Sequence, residues 1–336
     1  MEKVASFYRK IEDKKVICNL CSHNCMIAPD KLGLCKVRQN KDGTLYTLIY
    51  GELIAANIDP IEKKPIYHML PGSKSFSIAT VGCNLQCGFC QNWQISQASS
   101  SNLQSLTEDF IKPENVVRQA VDSGCKSISY TYTEPTIYFE YAYDIAKLAK
   151  EKRLKNVFVT NGFMTKEVIK EISPYLDAAN VDLKSFSDEF YKKICKSRLQ
   201  PVLDNIKYMR ELGIWVEITT LIIPGENDSD EELLKIAEFI AETGKEIPWH
   251  INRFHPDYKF LDHKPTGTDT LEKAYKIGKS AGLKYVYIGN TAREGNTYCH
   301  ACNNLLIGRG AFSLLSNNII KGKCPACKTD VAGIWE

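Results

Sequence analysis

The chain has 336 residues, of which 44% are hydrophobic and 25% charged, a composition typical of a folded globular protein with a sizeable core. Its formal net charge of +3 excludes the strong basic excess of a general nucleic-acid-binding protein. The first residues, MEKVASFYRKIEDKK, are too charged for a secretory signal, and no apolar run approaches the length of a membrane span. We therefore expect a cytoplasmic protein.

Residues 1–72 form a predicted N-terminal module. It contains Cys18, Cys21, Cys25 and Cys35 in short polar loops. In a reducing compartment such groups bind metal more often than they form disulfides, so zinc, an auxiliary [4Fe–4S] cluster or metal-free thiols all remain open, with zinc slightly favoured. Residues 45–58 read as a strand pair around Gly51. The connector 59–72, rich in functional groups, either borders an active site or is a packed linker.

Residues 73–290 alternate short apolar runs with segments of helical periodicity. The apolar runs are 75–81, 127–132, 156–160, 178–183, 214–221, 248–253 and 284–288. The helical segments are 113–123, 136–150, 165–175, 199–212, 229–243 and 269–280. This alternation predicts repeated βα units on a parallel sheet. Six or seven units make a partial α/β barrel, short of the eight in a closed one.

A group of three cysteines follows the first strand of this series, in the sequence VGCNLQCGFCQNW. Functional loops of parallel βα folds lie at the carboxyl ends of the strands, so Cys83, Cys87 and Cys90 stand where an active site is expected. A cubane cluster usually takes four thiolates, and three would leave one iron open, as at catalytic metals. A zinc knuckle or buried thiols are the alternatives, but no fourth ligand is adjacent.

The segment CNLQCGFC resembles the signature of the radical S-adenosylmethionine (SAM) superfamily, with aromatic Phe89 before the last cysteine. Region 75–290 is similar to the branch that contains the pyruvate formate-lyase activating enzymes. The strongest likeness is to the radical SAM protein of the AmmeMemoRadiSam system. It extends to three further segments, CNLCSHNCMIAPDKLGLCKVR, DPIEKKPIYHMLPG and YTYTEPTI.

The resemblance implies a [4Fe–4S] cluster on Cys83, Cys87 and Cys90, with SAM bound at its open iron. Reductive cleavage of SAM would give a 5′-deoxyadenosyl radical that abstracts hydrogen. The implied cofactor-binding residues are Thr133, Glu134, Asn161, Asp182, Lys184 and His255. They all follow predicted strands, although some could simply cap the next helix. Activating enzymes commonly have Asp before the Thr-Asn-Gly sequence, whereas Val159 stands here, which weakens a direct transfer of glycyl-radical activation.

Residues 291–336 form a predicted C-terminal module with two CxxC pairs. Its cysteines are Cys299, Cys302, Cys324 and Cys327. Two such knuckles are typical of a four-thiolate zinc site. A structural role is favoured over a contact surface for a partner.

Three functions remain open from the sequence. The first is a radical SAM enzyme acting on a small molecule, a nucleoside or a peptide side chain, and the second is an activase that installs a glycyl radical in a partner protein. The third is a zinc-dependent scaffold without catalysis. A ferredoxin or flavodoxin is the expected electron donor, and the resemblance adds Memo-like and AMMECR-like proteins as partners. Residue spacing does not identify the substrate.

Overall fold

The computed structural model describes residues 2–98, 110–292 and 295–336. Two three-stranded antiparallel sheets form its N-terminal part. Their strands are β1 (Lys3–Val4), β2 (Tyr8–Lys10), β3 (Val16–Cys18), β4 (Met26–Ile27), β5 (Arg38–Lys41) and β6 (Thr44–Thr47). One sheet has the order β1-β6-β5 and the other β2-β3-β4. The predicted loops carry Cys21, Cys25 and Cys35, while Cys18 ends β3, so short paired strands organise this segment around its cysteines.

An eight-stranded sheet forms the centre of the molecule. β7 (Ala55–Pro60) pairs antiparallel with β8 (Lys74–Ala79), and six parallel strands follow, each beside the one before it. These are β9 (Ser127–Tyr130), β10 (Lys155–Thr160), β11 (Ala178–Asp182), β12 (Trp215–Ile222), β13 (Trp249–Arg253) and β14 (Val286–Gly289). Because sheet neighbours are also sequence neighbours, each crossover adds one βα unit in the same direction. The predicted partial α/β barrel is confirmed.

Helices fill the crossovers between the parallel strands. They are α1 (Trp93–Ser96), α2 (Pro113–Asp122), α3 (Phe139–Glu151), α4 (Lys166–Ile172), α5 (Asp188–Phe190), α6 (Gln200–Glu211), α7 (Asp230–Gly244) and α8 (Thr268–Ser280). All six predicted helices are found, within three residues at each boundary. α7 begins after Ser229, whose hydroxyl accepts a hydrogen bond from the Glu232 N–H at 3.2 Å, the usual bond of a helix N-cap.

The predicted strand pair around Gly51 is wrong. The hairpin in this region instead joins β5 to β6 through Asp42 and Gly43, which has a φ of +84°. β7 does not pair with β6 but extends the central sheet. Gly51 also has positive φ, and a Cβ there would lie 2.2 Å from the Phe110 ring. Gly51 therefore lies in a turn that packs against Phe110. The sequence of this turn resembles that of a hairpin turn.

The connector 59–72 closes the barrel at the amino ends of the strands. A buried apolar cluster holds it there, made of Ile61, Ile66, Met69, Val157, Ala178 and Trp215. The buried Glu217 carboxylate accepts hydrogen bonds from the backbone N–H groups of Tyr67 and His68 at 3.0 and 2.8 Å. The connector therefore forms the base of the barrel.

A third small sheet lies in the C-terminal part. It consists of β15 (Thr297–Tyr298), β16 (Leu305–Arg309) and β17 (Leu314–Asn317). The segment beyond it returns to the connector, where the Ile334 N–H donates to the His68 carbonyl at 2.7 Å. The division into modules at residues 72 and 290 stays a prediction. Within the described ranges, no helix combines the length and apolar character needed to cross a bilayer.

Candidate active site and metal centres

A cavity of about 860 Å³ lies at the carboxyl ends of the parallel strands. Most of the site residues predicted for the barrel line it. They are Cys83, Cys87, Cys90, Thr133, Glu134, Asn161, Asp182 and Lys184. Residues from several crossovers thus meet at one edge of the sheet, the usual place for a site in a parallel fold.

The loop after β8 carries its three cysteines into this cavity. Gly82 begins the loop with a φ of +94°, and a Cβ there would lie 2.8 Å from Val37, so both conformation and packing require glycine. The Leu85 N–H donates to the Cys83 sulfur at 3.4 Å, and the Ser96 hydroxyl lies 3.1 Å from the Cys90 sulfur. Burial raises the pKa of both Cys83 and Cys90, and these contacts act in the opposite direction, towards the thiolate that binds metal.

A fourth thiol lies beside this loop. Cys195 is fully buried at the end of a π-helical turn, Tyr191–Cys195, and its carbonyl accepts from the Gln86 N–H at 3.0 Å. The hydrogen bond from its thiol lowers the pKa of Cys87. The three loop cysteines line the cavity, but Cys195 does not. Cysteine spacing in the sequence did not connect Cys195 with this loop. A contact between distant crossovers gives no local signal in a sequence.

Glu134 is buried among hydrogen-bond donors. Its Oε1 accepts from the Thr136 N–H at 3.1 Å and from the hydroxyls of Thr136 and Thr160 at 2.5 and 2.7 Å. Its Oε2 accepts from the Asn161 N–H at 2.8 Å. Burial raises the pKa of this carboxyl. These bonds join the ends of β9 and β10, and the bond from the Thr136 N–H is of the kind expected if Glu134 caps the next helix. A contact between Glu134 and SAM stays a prediction.

Asn161 supports the cysteine loop. Its side-chain amide donates to the Asn84 side-chain oxygen at 2.7 Å and lies 3.8 Å from the Cys83 sulfur. Thr133 makes a comparable contact, because its hydroxyl donates to the Thr80 carbonyl at 2.8 Å. Both predicted residues therefore hold the segment that presents the cysteines.

Asp182 and Lys184 form an ion pair of 2.8 Å at the end of β11. The Lys184 ammonium lies 5.8 Å from the centre of the Phe89 ring, which places a positive charge next to the cysteine loop. His255 is exposed, and its Nδ1 lies 3.1 Å from the Gln91 amide. Since Gln91 lines the cavity, His255 is at the rim.

The connector contributes a charged group that the sequence analysis did not single out. Asp59 forms ion pairs with Lys63 at 2.8 Å and Lys64 at 2.6 Å, and it accepts from the Tyr132 hydroxyl. Lys64 lines the cavity although it is almost fully buried, and burial lowers its pKa to about 8. The connector both borders the candidate site and is a packed linker. One of its sides lines the cavity, and the other packs in the apolar cluster at the base of the barrel.

His250 is buried within β13. It lies 2.6 Å from the Glu217 carboxylate and also lines the cavity. Burial alone would raise the pKa of Glu217, but the hydrogen bond from His250 and the neighbouring histidine charges lower it. This carboxylate joins the floor of the cavity to the connector beneath it.

The C-terminal cysteines converge on one point. The four sulfurs all lie within 4.8 Å of one another, with 3.5 Å between Cys299 and Cys327 and 3.7 Å between Cys302 and Cys324. Two of the four are buried and two exposed. Zinc in a tetrahedron of thiolates, with Zn–S of about 2.3 Å, brings its sulfurs to about 3.8 Å, so this donor set fits zinc.

Comparisons with known proteins agree with this geometry. The family model of the radical SAM superfamily matches residues 77–240. An uncharacterized protein of Methanocaldococcus jannaschii is 44% identical over 328 residues, which cover 96% of this chain and 97% of that protein. The likeness to this relative therefore runs over nearly the whole length of both chains.

More distant relatives have described activities. The pyruvate formate-lyase 1-activating enzyme of Escherichia coli is 23% identical over 219 residues, 61% of this chain and 89% of that enzyme. Among solved structures, Streptococcus suis SuiB bound to S-adenosylmethionine matches in fold with a TM-score of 0.51 and 16% identity, over 68% of this chain and 53% of SuiB. With the family match and the near full-length relative, these findings show that the chain is an enzyme of the radical SAM superfamily.

Proposed function

We propose that Cys83, Cys87 and Cys90 bind a [4Fe–4S] cluster with one iron left for SAM. The observation that carries the proposal is that these three cysteines, without a fourth, line the cavity at the strand ends. When bound, the cluster and SAM would supply reductive cleavage to a 5′-deoxyadenosyl radical that abstracts hydrogen from a substrate.

The donor set suits such a cluster. Among the described residues, the C-terminal group alone has three or more metal-binding side chains within 4.8 Å of one another. The sulfurs of Cys83, Cys87 and Cys90 are thus more widely spread than those around one zinc ion. In a cubane each thiolate binds a different iron, which requires such a spread.

The chain's own residues hold and polarise the site. Asn161 fixes the cysteine loop through Asn84, and Lys184 places its charge beside Cys87. An ammonium at this position can pair with a carboxylate of SAM or of the substrate. The cavity volume of about 860 Å³ is near the upper end for ligand pockets, which supports space for SAM and a second molecule.

A second candidate function is activation of a glycyl-radical enzyme. It is supported by relatives with that description, including a putative glycyl-radical enzyme activating enzyme of Methanocaldococcus jannaschii that is 26% identical over 64% of this chain. Val159, which lines the cavity where activating enzymes commonly have Asp, argues for a different substrate. A glycine-centred EPR signal in a partner protein would favour activation.

We also propose zinc at the four C-terminal cysteines, with a structural role. A reduced ferredoxin or flavodoxin remains the proposed electron donor, and Memo-like and AMMECR-like proteins remain proposed partners. The donor must deliver one electron for each SAM cleaved.

The central proposal is tested by SAM cleavage. The protein is purified and reconstituted without oxygen, reduced with dithionite, and assayed for 5′-deoxyadenosine. We expect release by the natural chain and none above the enzyme-free background from Cys83→Ala/Cys87→Ala/Cys90→Ala, because this variant has no thiolates for the cluster.

Cys125→Ala is the matched control, since Cys125 is buried outside all three groups, and it should cleave SAM normally. Release of 5′-deoxyadenosine by the triple variant would disprove the assignment. A natural chain with zinc but neither iron nor SAM cleavage would support the scaffold function instead.

A further inference from the structure

Lys64 is a buried amine in the wall of the cavity. Among the lysines that the structure describes, it alone is buried, with 2% of its side chain exposed. It lines the same cavity as the three central cysteines. Lysine is almost never fully buried unless it is paired, because its ammonium loses hydration in the interior. Lys64 therefore needs either a complete counter-charge or a chemical role.

The carboxylate paired with Lys64 is shared with a second lysine. Asp59 Oδ2 lies 2.6 Å from the Lys64 ammonium, and Oδ1 lies 2.8 Å from that of Lys63, which is exposed. The next carboxylate in the chain, Glu62, already has an ion pair of 3.5 Å with Arg309. Two cations thus meet one anion, and Asp59 keeps a counter-charge even when Lys64 gives up its proton.

This arrangement makes the Lys64 amine easier to deprotonate than an ordinary lysine. Burial and the neighbouring charge of Lys63 lower the pKa of Lys64 to about 8, although Asp59 acts in the opposite direction. At pH 7 about a tenth of the molecules then have a neutral, nucleophilic amine here, against fewer than about one in a thousand for an unperturbed lysine. A buried lysine beside a second cation is a common form of amine that reacts with carbonyl groups.

Tyr132 connects this amine to the cysteine loop. The Lys64 ammonium lies 4.3 Å from the centre of the Tyr132 ring, and the Tyr132 hydroxyl donates to Asp59. The Tyr132 carbonyl accepts from the side chain of Asn92, two residues after Cys90, at 2.8 Å. Tyr132 has a φ of +63°, which is strained for an aromatic residue, and such strain is concentrated at functional sites. Lys64 and the cysteine loop are therefore parts of one connected wall.

We propose that Lys64 forms an imine with a carbonyl-bearing substrate, an aldehyde or a 2-oxo acid. The neutral amine adds to the carbonyl carbon, a C–N bond forms, and the carbonyl oxygen leaves as water with the two amine hydrogens. The imine nitrogen then takes a proton from solvent, and Asp59 is its counter-ion. Loss of a hydrogen atom from the carbon next to the imine leaves a radical delocalised over the C=N bond. That use of the imine rests on the proposed function, whereas imine formation does not.

Reductive trapping tests the imine. The reconstituted enzyme, unreduced and without oxygen, is mixed at pH 7 with pyruvate or with acetaldehyde, and cyanoborohydride converts each imine to a stable amine. Peptide mass spectrometry then measures the label on each lysine. With one of the two probes we expect at least about tenfold more label on Lys64 than on Lys63, because burial keeps part of the Lys64 amine neutral. The more effective probe shows whether the substrate is a 2-oxo acid or an aldehyde.

Lys63 is the matched control within the same chain. It pairs with the same carboxylate and lines the same cavity, but it is exposed. Label on Lys64 no greater than that on Lys63 with both probes would overturn the imine.

Two variants separate the amine from its surroundings. Lys64→Arg keeps a cation beside Asp59 but cannot form an imine, so it should lose the label while its circular dichroism stays that of the natural chain. If Lys64→Arg does not fold, the comparison of lysines within the natural chain still decides. Lys63→Gln removes the second counter-charge of Asp59, so Lys64 holds its proton more firmly and its label should fall at least about threefold. Label at the natural level in Lys63→Gln would overturn the role of the shared carboxylate.

Failure of the imine and failure of the proposed function give different results. Lys64 needs no cluster to form an imine, so the central triple variant Cys83→Ala/Cys87→Ala/Cys90→Ala should keep its label while it loses SAM cleavage. Label on Lys64 without SAM cleavage in the natural chain would contradict the proposed function alone. SAM cleavage without label on Lys64 would contradict the imine alone.

Discussion

Cysteine sulfurs in all three groups accept a hydrogen bond from the backbone N–H two residues further along the chain. Leu85 donates to Cys83 in the central loop, and Thr329 donates to Cys327 in the C-terminal group. Cys21 of the N-terminal group has the same bond. The turn after each of these cysteines therefore helps to orient its sulfur through the backbone.

The hydrogen bonds of the buried Glu134 side chain lead to a prediction about stability. Glu134→Gln should lower the free energy of unfolding by about 2 kcal/mol. Whichever side-chain oxygen becomes NH2, a backbone N–H loses its acceptor, either that of Thr136 or that of Asn161. Urea denaturation of the metal-free chain measures the change.

The control is Glu238→Gln on the exposed face of α7, which should change stability by less than about 0.5 kcal/mol. Unchanged stability of Glu134→Gln together with weakened SAM binding to the reconstituted enzyme would instead make this carboxylate a ligand of SAM alone.

The sequence was informative about residues whose chemistry depends on local spacing. Cys83, Cys87 and Cys90 follow the first parallel strand, and the family resemblance implied Asn161 and Lys184, which also follow strands and line the same cavity. It gave no indication of Cys195 or Lys64, because their contacts join segments that are far apart in the chain. Only the folded crossovers bring those side chains to the loop and the cavity.

Among the structural elements, α3 ties the N-terminal sheets to the barrel. Glu140, in its first turn, forms an ion pair with Arg38 of β5, in which one guanidinium nitrogen lies 2.5 Å from each carboxylate oxygen. Glu140 also accepts from the Ser6 N–H at 2.6 Å. Both charged side chains are less than 5% exposed, so neither charge has an alternative partner in solvent.

Glu140→Gln should therefore cost about 3–5 kcal/mol in the free energy of unfolding, because it leaves the Arg38 guanidinium buried without a counter-charge. The double variant Arg38→Met/Glu140→Gln should be more stable than Glu140→Gln alone, since the unpaired charge is gone. Urea denaturation of the metal-free chain compares them. A loss below about 1 kcal/mol in the single variant would show that water reaches the pair.

Helices and parallel strands were predictable because their periodicity and caps are continuous in sequence. The N-terminal strands were not, since several have only two or three residues and form through pairing with distant partners. Residues 45–58 show the same limit, because Gly51 has the sequence features of a hairpin turn while β7 pairs with a strand that comes later in the chain.

For the whole molecule, the base of the barrel joins the connector, the barrel and the C-terminal part. His68 of the connector lies 2.7 Å from the Ala332 carbonyl and 2.7 Å from the Tyr287 hydroxyl. Arg309 of the C-terminal sheet donates to the Tyr67 carbonyl at 2.6 Å. The base is therefore a polar network with partners from the connector, the barrel and the C-terminal part.

This network predicts a dependence of stability on pH. Burial lowers the pKa of His68 to about 4, against about 6.5 in an unfolded chain. As pH falls below about 6.5 the unfolded state binds this proton first, so stability is complete above that pH and declines towards pH 4. Between these limits the natural chain should lose about 3 kcal/mol more than His68→Gln.

Urea denaturation of the two metal-free chains at a series of pH values measures this difference. Three other charged groups act on His68, and they are Glu217, His250 and Arg309. They are present in both chains, so their titration affects both stability profiles. Parallel pH profiles would show that His68 can accept a proton in the folded state without penalty.

The return of the C-terminal segment to the connector has a consequence for biosynthesis. His68 and Ala332 are 264 residues apart in sequence, and contacts over such separations form late in folding. A chain emerging from the ribosome can build its βα units in order, but it cannot complete the base until residues near 334 are free. Until then the face of the connector that Ala332 and Ile334 cover is open, so this apolar face of the nascent chain is exposed to aggregation.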